Sequence, residues 1–214
     1  MIKLDIISDP ICPWCYIGKA YLDRALAAHP DHPFSIEWHP YQLNPEMPAE
    51  GMDRREYLET KFGGQEGAIK VYSEIAQRAE DAGLNIDFGA IKTTPNTINA
   101  HRLIHWAGIE GRQPFVVSAL FKAYFVEGRD IGSSDVLYNI AADSGMDADM
   151  VERLLDSDAD IEDIRARDAH SREMGVRGVP TFIVANKSVL TGAQPADLWG
   201  QVIIDLNTQT GSET

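Results

Sequence analysis

The sequence predicts an α/β protein in which both ends of the chain form one domain around a second, all-helical domain. Three observations favour this architecture. Strand patterns flank one helical pattern near the start, strand patterns are then missing until about residue 180, and two short strand patterns and a helix follow. We expect a discontinuous domain of residues 1–45 plus 157–214 and an inserted helical domain of residues 46–156.

The chain opens with a predicted strand, helix and second strand. Apolar residues alternate through Ile2–Ser8, which is strand spacing. From Pro13 they recur at helical spacing until His29 and Pro30 end the helix. Alternation returns in Phe34–Trp38. These segments predict the first part of a sheet.

The middle of the chain is predicted to be helical from about Asn44 to Ser157. Asp53 followed by Glu56 is a capping-box pattern, and it predicts a helix that ends near Gly83. The apolar stripe of that helix consists of Ile69, Tyr72, Ala76 and Ala79. Further helices are expected from Asn96 or Thr97, over 115–126 with Phe115 in its stripe, and over 136–142 after Ser133 or Ser134.

The last part of the chain returns to mixed patterns. Ile161–Met174 predicts a helix that stops at Gly175. Two short strands over 181–185 and 188–191 are separated by a possible turn at Asn186 and Lys187, and 195–206 forms a closing helix. These strands are expected to join the sheet of the first domain.

Composition excludes several classes of partner. The chain has 33 acidic and 19 basic side chains and a formal charge of -14, which repels phosphate backbones and anionic lipid, so we expect neither nucleic acid nor a membrane as partner. Apolar runs stay shorter than the roughly 20 residues that a spanning helix needs. The sequence opens without a signal-peptide pattern and contains two cysteines, which favours the reducing cytoplasm. There, a cysteine pair is typically catalytic, redox-sensing or metal-binding.

Cys12 and Cys15 form a Cys-Pro-Trp-Cys motif between the first strand and the first helix. We expect Cys12 at the N-cap and Pro13 at the first helical position, with the Cys12 sulfur accepting hydrogen bonds from helix N–H groups. The helix dipole then favours a thiolate at Cys12. Cys15, one turn further, is placed to attack a mixed disulfide formed at Cys12. Both are predicted catalytic residues of a thiol-disulfide oxidoreductase or isomerase.

A metal site is the less favoured interpretation of the same residues. Structural zinc needs four ligands, and the chain has no third cysteine. His101 and His105 lie four residues apart on a predicted helix, a spacing more often found in packing than in a ligand pair. His39 follows the second strand with the outward-facing residues, so we expect it in solvent, with a role as proton acceptor left open. No metal is expected.

Four segments resemble DsbA-family oxidoreductases, particularly the FrnE-like branch. They are residues 8–18 (SDPICPWCYIG), 42–45 (QLNP), 96–97 with 100–103 (NT and AHRL), and 175–182 (GVRGVPTF). The resemblance spans nearly the whole chain. It implies a thioredoxin-like fold with an inserted helical domain and activity as a protein disulfide oxidoreductase or isomerase.

The resemblance also implies a substrate-binding role for four residues. It implies a cis bond between Val179 and Pro180 that faces the cysteines, whereas only about 5% of X-Pro bonds are cis in general. Val179 would pair its backbone with an extended substrate. Pro13 and Trp14 would line the groove, although Trp14 also fits simple packing beside the helix start.

Two other classes of protein compete with disulfide exchange. Kappa-class glutathione transferases and 2-hydroxychromene-2-carboxylate isomerases resemble the same fold and the same Val-Pro-Thr loop. They usually carry serine where this chain has Cys12, so two cysteines favour redox exchange with protein or small-molecule thiols and disulfides. Glutathione is then a possible co-substrate, and no bound cofactor is expected. A non-catalytic binding module is the third alternative, and the sequence sets neither the redox direction nor the oligomeric state.

Overall fold

A computed structural model describes residues 1–211, with side chains through residue 208. Its elements alternate between helices and short strands, in agreement with the predicted α/β class. They are β1 (Ile2–Ser8), α1 (Pro13–Ala28), β2 (Phe34–Pro40), β3 (Met52–Asp53), α2 (Arg54–Phe62), α3 (Gln65–Asp81), β4 (Thr93–Thr94), α4 (Ile98–Ile109), α5 (Gln113–Phe125), α6 (Ser134–Asp143), α7 (Ala148–Leu155), α8 (Ile161–Glu173), β5 (Thr181–Val184), β6 (Ser188–Thr191) and α9 (Ala196–Gly211).

Both ends of the chain share one four-stranded sheet with the order β2-β1-β5-β6. β1 runs parallel to β2, which requires a crossover, and α1 supplies it. β1 is antiparallel to β5, and β5 and β6 form a hairpin. In the register of the sheet, Ile6 lies between Trp38 and Phe182. The end of β1, where the cysteine motif begins, therefore lies at the centre of the sheet.

One hydrophobic cluster connects the sheet to the helices. It contains Leu4 and Phe34 of the sheet, Trp199 of α9, and Leu120 and Leu137 of the helical segment. The ring of Trp199 contacts Phe182 at 4.9 Å between centroids. α1 and α9 pack together. The division of the chain at residues 45 and 157 stays a prediction.

The segment predicted as wholly helical also contains a small antiparallel ribbon, in which Met52 pairs with Thr94 and Asp53 with Thr93. The prediction of helices alone from Asn44 to Ser157 was therefore wrong. Two-residue strands are too short to show a period of two, so the sequence pattern could not reveal them.

The helix predicted to run to Gly83 is two helices, α2 and α3. Gly63 and Gly64 separate them with φ of 73° and 109°, a region that favours glycine. Asp53 caps α2 as predicted, because its carboxylate accepts hydrogen bonds from the N–H groups of Arg55 and Glu56 at 3.0 Å each. The predicted stripe was wrong in phase, since Ile69 is 57% exposed.

The remaining boundaries differ by a few residues. Phe115 was predicted to face the core from α5 but is exposed. Thr97 is the N-cap of α4, and the amide oxygen of Asn96 accepts from the N–H of Ile98 at 3.0 Å. Within residues 1–211, each helix is too short or too polar to cross a membrane.

Candidate active site

The cysteine motif lies where β1 passes into α1. Cys12 is the N-cap of α1 and Pro13 its first residue, as predicted. The Cys12 carbonyl accepts hydrogen bonds from the N–H groups of Cys15 at 3.1 Å and Tyr16 at 3.2 Å. The Asp9 carbonyl accepts from the N–H of Cys12 at 2.9 Å. The first turn and the loop before it thus fix the position of Cys12.

The sulfur of Cys12 points away from the helix backbone, so the predicted hydrogen bonds from helix N–H groups to this sulfur were wrong. Its thiol donates to the carbonyl oxygen of Val179 at 3.6 Å. A protonated thiol has a proton to donate, and Pro13 has no N–H to offer in return. The sulfur still lies at the positive end of the helix dipole.

Cys15 lies one turn further and is the deeper of the two thiols, with 1% of its surface exposed against 4% for Cys12. Burial raises the pKa of Cys15 well above its usual range, and the adjacent Cys12 raises it further. Hydrogen bonds from the Ser8 hydroxyl and the Asp9 backbone act in the opposite direction. Both cysteines are free in this structure. Cys15 is therefore held as a thiol beside Cys12.

The loop before β5 faces the cysteines. The peptide bond between Val179 and Pro180 is cis, as the resemblance implied. Pro180 is buried against α1 at Gly18, where an added Cβ would lie 3.1 Å from the Pro180 Cγ. Val179 is half-buried, so its backbone is near both the Cys12 sulfur and the surface. A cavity of about 530 Å³ adjoins this loop and is lined by Val179, Pro180 and Val189 among others.

Trp14, in the middle of the motif, is half-buried and packs against two hydrophobic clusters. One is the cluster that joins the sheet to the helices. The other contains Ile17 and Ile75, so Trp14 links α1 to α3. Trp14 thus packs beside the helix start, and part of its ring stays at the surface.

The histidines singled out in the sequence lie in separate environments. His101 is buried, with Nε2 3.7 Å from Oδ1 of Asp9, and burial lowers its pKa to about 4. His105 is half-buried, and burial, assisted by Arg167, lowers its pKa. His39 was predicted to be solvated, but its Nε2 lies 2.6 Å from Oδ1 of Asp5 and the ring is 23% exposed. The carboxylate on the neighbouring strand explains the difference.

One group of close ligand atoms occurs among the described residues, formed by Asp5, Glu37 and His39 within 4.8 Å of one another. The ammonium of Lys3 lies 2.9 Å from Asp5 and 3.1 Å from Glu37. The lysine is thus the cation that these two carboxylates bind.

Sequence reasoning missed the buried carboxyl of Asp9, which it treated only as a strand breaker. Oδ2 of Asp9 accepts from the N–H of Leu43 at 2.7 Å. Burial raises the pKa of Asp9 to about 7, although hydrogen bonds from Leu43, Ile11 and Thr97 oppose this. Its position three residues before Cys12 was the available signal.

A second missed carboxylate, Asp168 of α8, joins the same region to the helical segment. Its Oδ1 accepts from the N–H of Gln42 at 2.7 Å, and Arg172 Nε donates to its Oδ2 at 2.7 Å. The Arg172 guanidinium also covers the ring of Tyr41 at 4.0 Å. This network fixes the chain after β2, next to the loop that contains the cysteines.

Several known proteins share this architecture along the whole chain. The uncharacterized protein YwbO of Bacillus subtilis is 26% identical over 206 residues, which is 95% of this chain and 96% of YwbO. The crystal structure of the probable DsbA oxidoreductase SCO1869 from Streptomyces coelicolor superimposes with a TM-score of 0.85 and 28% identity, covering 100% of this chain and 92% of that one.

Two structures of lower identity show the same fold. A 2-hydroxychromene-2-carboxylate isomerase superimposes with a TM-score of 0.75 and 16% identity, with 99% of each chain covered. The cytosolic disulfide reductase DsbM from Pseudomonas aeruginosa gives 0.68 and 21%, with 97% of this chain and 98% of DsbM covered. A family model described as a DSBA-like thioredoxin domain matches residues 3–203. The chain therefore belongs to the DSBA-like thioredoxin domain family and has its thioredoxin-like fold.

Proposed function

We propose that the protein is a thiol-disulfide oxidoreductase or isomerase in which Cys12 is the nucleophile and Cys15 the resolving thiol. The observation that carries this proposal is the placement of Cys12 at the tip of α1, against the Val179 carbonyl, with Cys15 one turn deeper. Family membership supports the reaction class.

The proposed cycle balances as two thiol-disulfide exchanges. The Cys12 thiolate attacks one sulfur of a substrate disulfide, forming a Cys12-substrate bond while the second substrate sulfur leaves as a thiolate and takes up a proton. Cys15 then loses its proton and attacks Cys12, which releases the first substrate sulfur. Two electrons pass from the Cys12/Cys15 pair to the substrate, and the reverse sequence oxidises a substrate dithiol. For isomerisation, the substrate's own thiol releases Cys12.

The proposed substrates are protein or small-molecule thiols and disulfides. Val179 offers its backbone to an extended substrate, while Pro13, Trp14 and Pro180 form the surrounding surface. DsbM has been solved with glutathione, which supports glutathione as a co-substrate here. DsbM is described as cytosolic, and two free cysteines suit a reducing compartment, so we place this protein in the cytoplasm.

A glutathione-dependent isomerase or transferase is the second candidate. The similarity in fold to a 2-hydroxychromene-2-carboxylate isomerase favours it. That reaction class uses glutathione as the thiol and has no need of Cys15. Replacement of Cys15 therefore separates the two candidates.

Substitution of each cysteine tests the proposal. We expect Cys12→Ser to reduce disulfide reductase and isomerase activity to background, because it removes the attacking sulfur. Cys15→Ser should accumulate a mixed disulfide between Cys12 and glutathione, visible by mass spectrometry after incubation with oxidised glutathione. Ser8→Ala, next to Cys15 and without a sulfur of its own, is the matched control and should retain turnover. Full turnover by Cys15→Ser together with glutathione-dependent isomerisation would favour the second candidate.

A further inference from the structure

A buried arginine lies behind the cysteine motif without an acidic partner. Arg54, at the start of α2, is 5% exposed, and it takes part in none of the ion pairs among the described residues. Its Nε is buried and has no hydrogen-bond partner. A buried cation without a counter-ion is costly, so its retention calls for another source of negative charge.

Two tyrosines surround this guanidinium. Nη2 of Arg54 donates to the Tyr72 hydroxyl at 2.8 Å, and Nη1 donates to the Tyr124 hydroxyl at 3.0 Å. The guanidinium carbon also lies 5.3 Å and 5.7 Å from the two ring centroids, within cation-π range. The rings offset part of the cost of burial, but neither carries a full negative charge.

The two hydroxyls differ in what they can still donate. The Tyr124 hydroxyl donates to the carbonyl of Thr93 at 3.2 Å. The Tyr72 hydroxyl accepts from Arg54, and its own proton has no acceptor among the described residues. A phenol that accepts from a guanidinium is polarised towards donating its proton more strongly. Tyr72 therefore presents an unused donor.

Tyr72 lies beside the cysteine motif. Its ring packs in the same hydrophobic group as Trp14 and Ile17 of α1. Burial raises the pKa of Tyr72 and Arg54 opposes this, while negative charge on Tyr57 and on Cys12 raises it further. A charge on the Cys12 sulfur thus reaches the Tyr72 phenol. Tyr72 is also half-buried rather than enclosed, so a substrate sulfur can approach it.

We propose that Tyr72, polarised by the buried Arg54, donates a hydrogen bond to negative charge on the Cys12 sulfur and on the sulfurs that react with it. The inference extends the proposed function. The phenol proton is shared in this step and is not transferred, so the bonds made and broken remain those of the disulfide exchange. Arg54 acts through Tyr72 and is a positioning residue.

Tyr72→Phe removes the hydroxyl and keeps the ring that contacts Phe88 at 4.9 Å between centroids. The test is the rate of Cys12 alkylation by iodoacetamide across pH, measured in a Cys15→Ser background so that one thiol reacts. Loss of a hydrogen bond to a charged group predicts a roughly tenfold slower rate at neutral pH and a midpoint shifted to higher pH. Tyr21→Phe, in the same hydrophobic group, is the matched control and should leave the profile unchanged.

An alkylation profile of Tyr72→Phe that overlays the profile of the unsubstituted protein would overturn the proposal. So would an equal change in Tyr21→Phe, because the effect would then belong to packing. The assay needs no disulfide turnover, so a protein without reductase activity but with a Tyr72-dependent alkylation rate would refute the proposed function and support this inference.

Discussion

Asp9 and His101 are two buried groups whose ordinary charges are opposite. Asp9 Oδ1 lies 3.7 Å from His101 Nε2, too far for a hydrogen bond. Burial raises the pKa of Asp9 from 3.8 to about 7 and lowers that of His101 from 6.5 to about 4. Between about pH 4 and 6.5, the native pair carries its one proton on the carboxyl, whereas the unfolded chain carries it on the imidazole. The pair is therefore neutral beside the cysteine motif.

The two shifts have opposite effects on stability. The Asp9 contribution is full below pH 3.8 and is lost as pH rises towards 7, whereas the His101 contribution is full above pH 6.5 and is lost as pH falls towards 4. Because native and unfolded states bind the same number of protons between pH 4 and 6.5, the two slopes cancel there.

His101→Gln should expose the Asp9 slope. We expect the free energy of unfolding of this variant, relative to the unsubstituted protein, to fall by roughly 1 kcal/mol per pH unit from about pH 4 to 6.5. Urea titrations at several pH values measure it. The exposed His170→Gln, which also loses one imidazole, should show no such trend. Parallel curves for His101→Gln and the unsubstituted protein would mean that Asp9 ionises normally.

At this scale the sequence predicted the residues whose signal is local. Cys12, Pro13 and Cys15 stand in one motif at one helix start, and the structure places them there. The contacts of Asp9 with His101 and of Arg54 with Tyr124 join residues far apart in sequence. A pattern read along the chain cannot pair such residues, and the direction of the Cys12 thiol likewise depends on a carbonyl 167 residues away.

At the scale of elements, the approach of α1 to the loop before β5 depends on Gly18. A Cβ at this position would lie 3.1 Å from Pro180 Cγ and 3.4 Å from Phe182 Cζ. Alanine gains up to about 1 kcal/mol in helix propensity, which offsets part of the crowding. The loop must then shift by a few tenths of an ångström, and the Val179 backbone shifts with it.

Gly18→Ala should therefore reduce disulfide exchange more than stability. We expect a melting temperature within a few degrees of the unsubstituted value and a roughly three- to tenfold lower exchange rate, because small misplacements of a binding group are costly to rate. Gly200→Ala in α9 is the matched control, since its added Cβ meets only the side chain of His29. Equal exchange rates in both variants would show that the Pro180 approach is not needed.

The long elements were predictable because they repeat a period several times. β1 and α1 match their predicted bounds, and β2 continues only to Pro40. The short ribbon β3–β4 and the division between α2 and α3 were not predicted. Two residues cannot show alternation, and a Gly-Gly pair interrupts a helix without changing the apolar pattern on either side.

For the whole molecule, the continuous hydrophobic cluster is the main constraint on how it unfolds. The cluster joins sheet residues such as Leu4 to helical residues such as Leu120 and Leu137. Arg102 adds a polar link, since its Nε donates to the Ala159 carbonyl at 2.7 Å and Nη2 donates to the Ser157 carbonyl at 2.8 Å. The order of strands could not be predicted from periodicity, because patterns identify strands and not their neighbours.

We expect thermal unfolding as one cooperative transition, because the predicted domains of residues 1–45 plus 157–214 and 46–156 share this cluster. Far-ultraviolet circular dichroism follows mainly the helices, and tryptophan fluorescence follows Trp38 and Trp199 of the sheet region among others. The two melting curves should coincide. Two separate transitions would show that the predicted helical domain unfolds independently.

The central claim is that Cys12 and Cys15 form one reversible redox pair. Equilibration of the protein with glutathione buffers of graded potential, followed by acid quenching and thiol counting, tests it most directly. The account predicts that both thiols disappear together in a two-electron transition, with a tenfold change in equilibrium constant for each ~30 mV, and that the product is one intramolecular disulfide. Loss of a single thiol as a stable glutathione adduct, with Cys15 still reduced across the range, would contradict it.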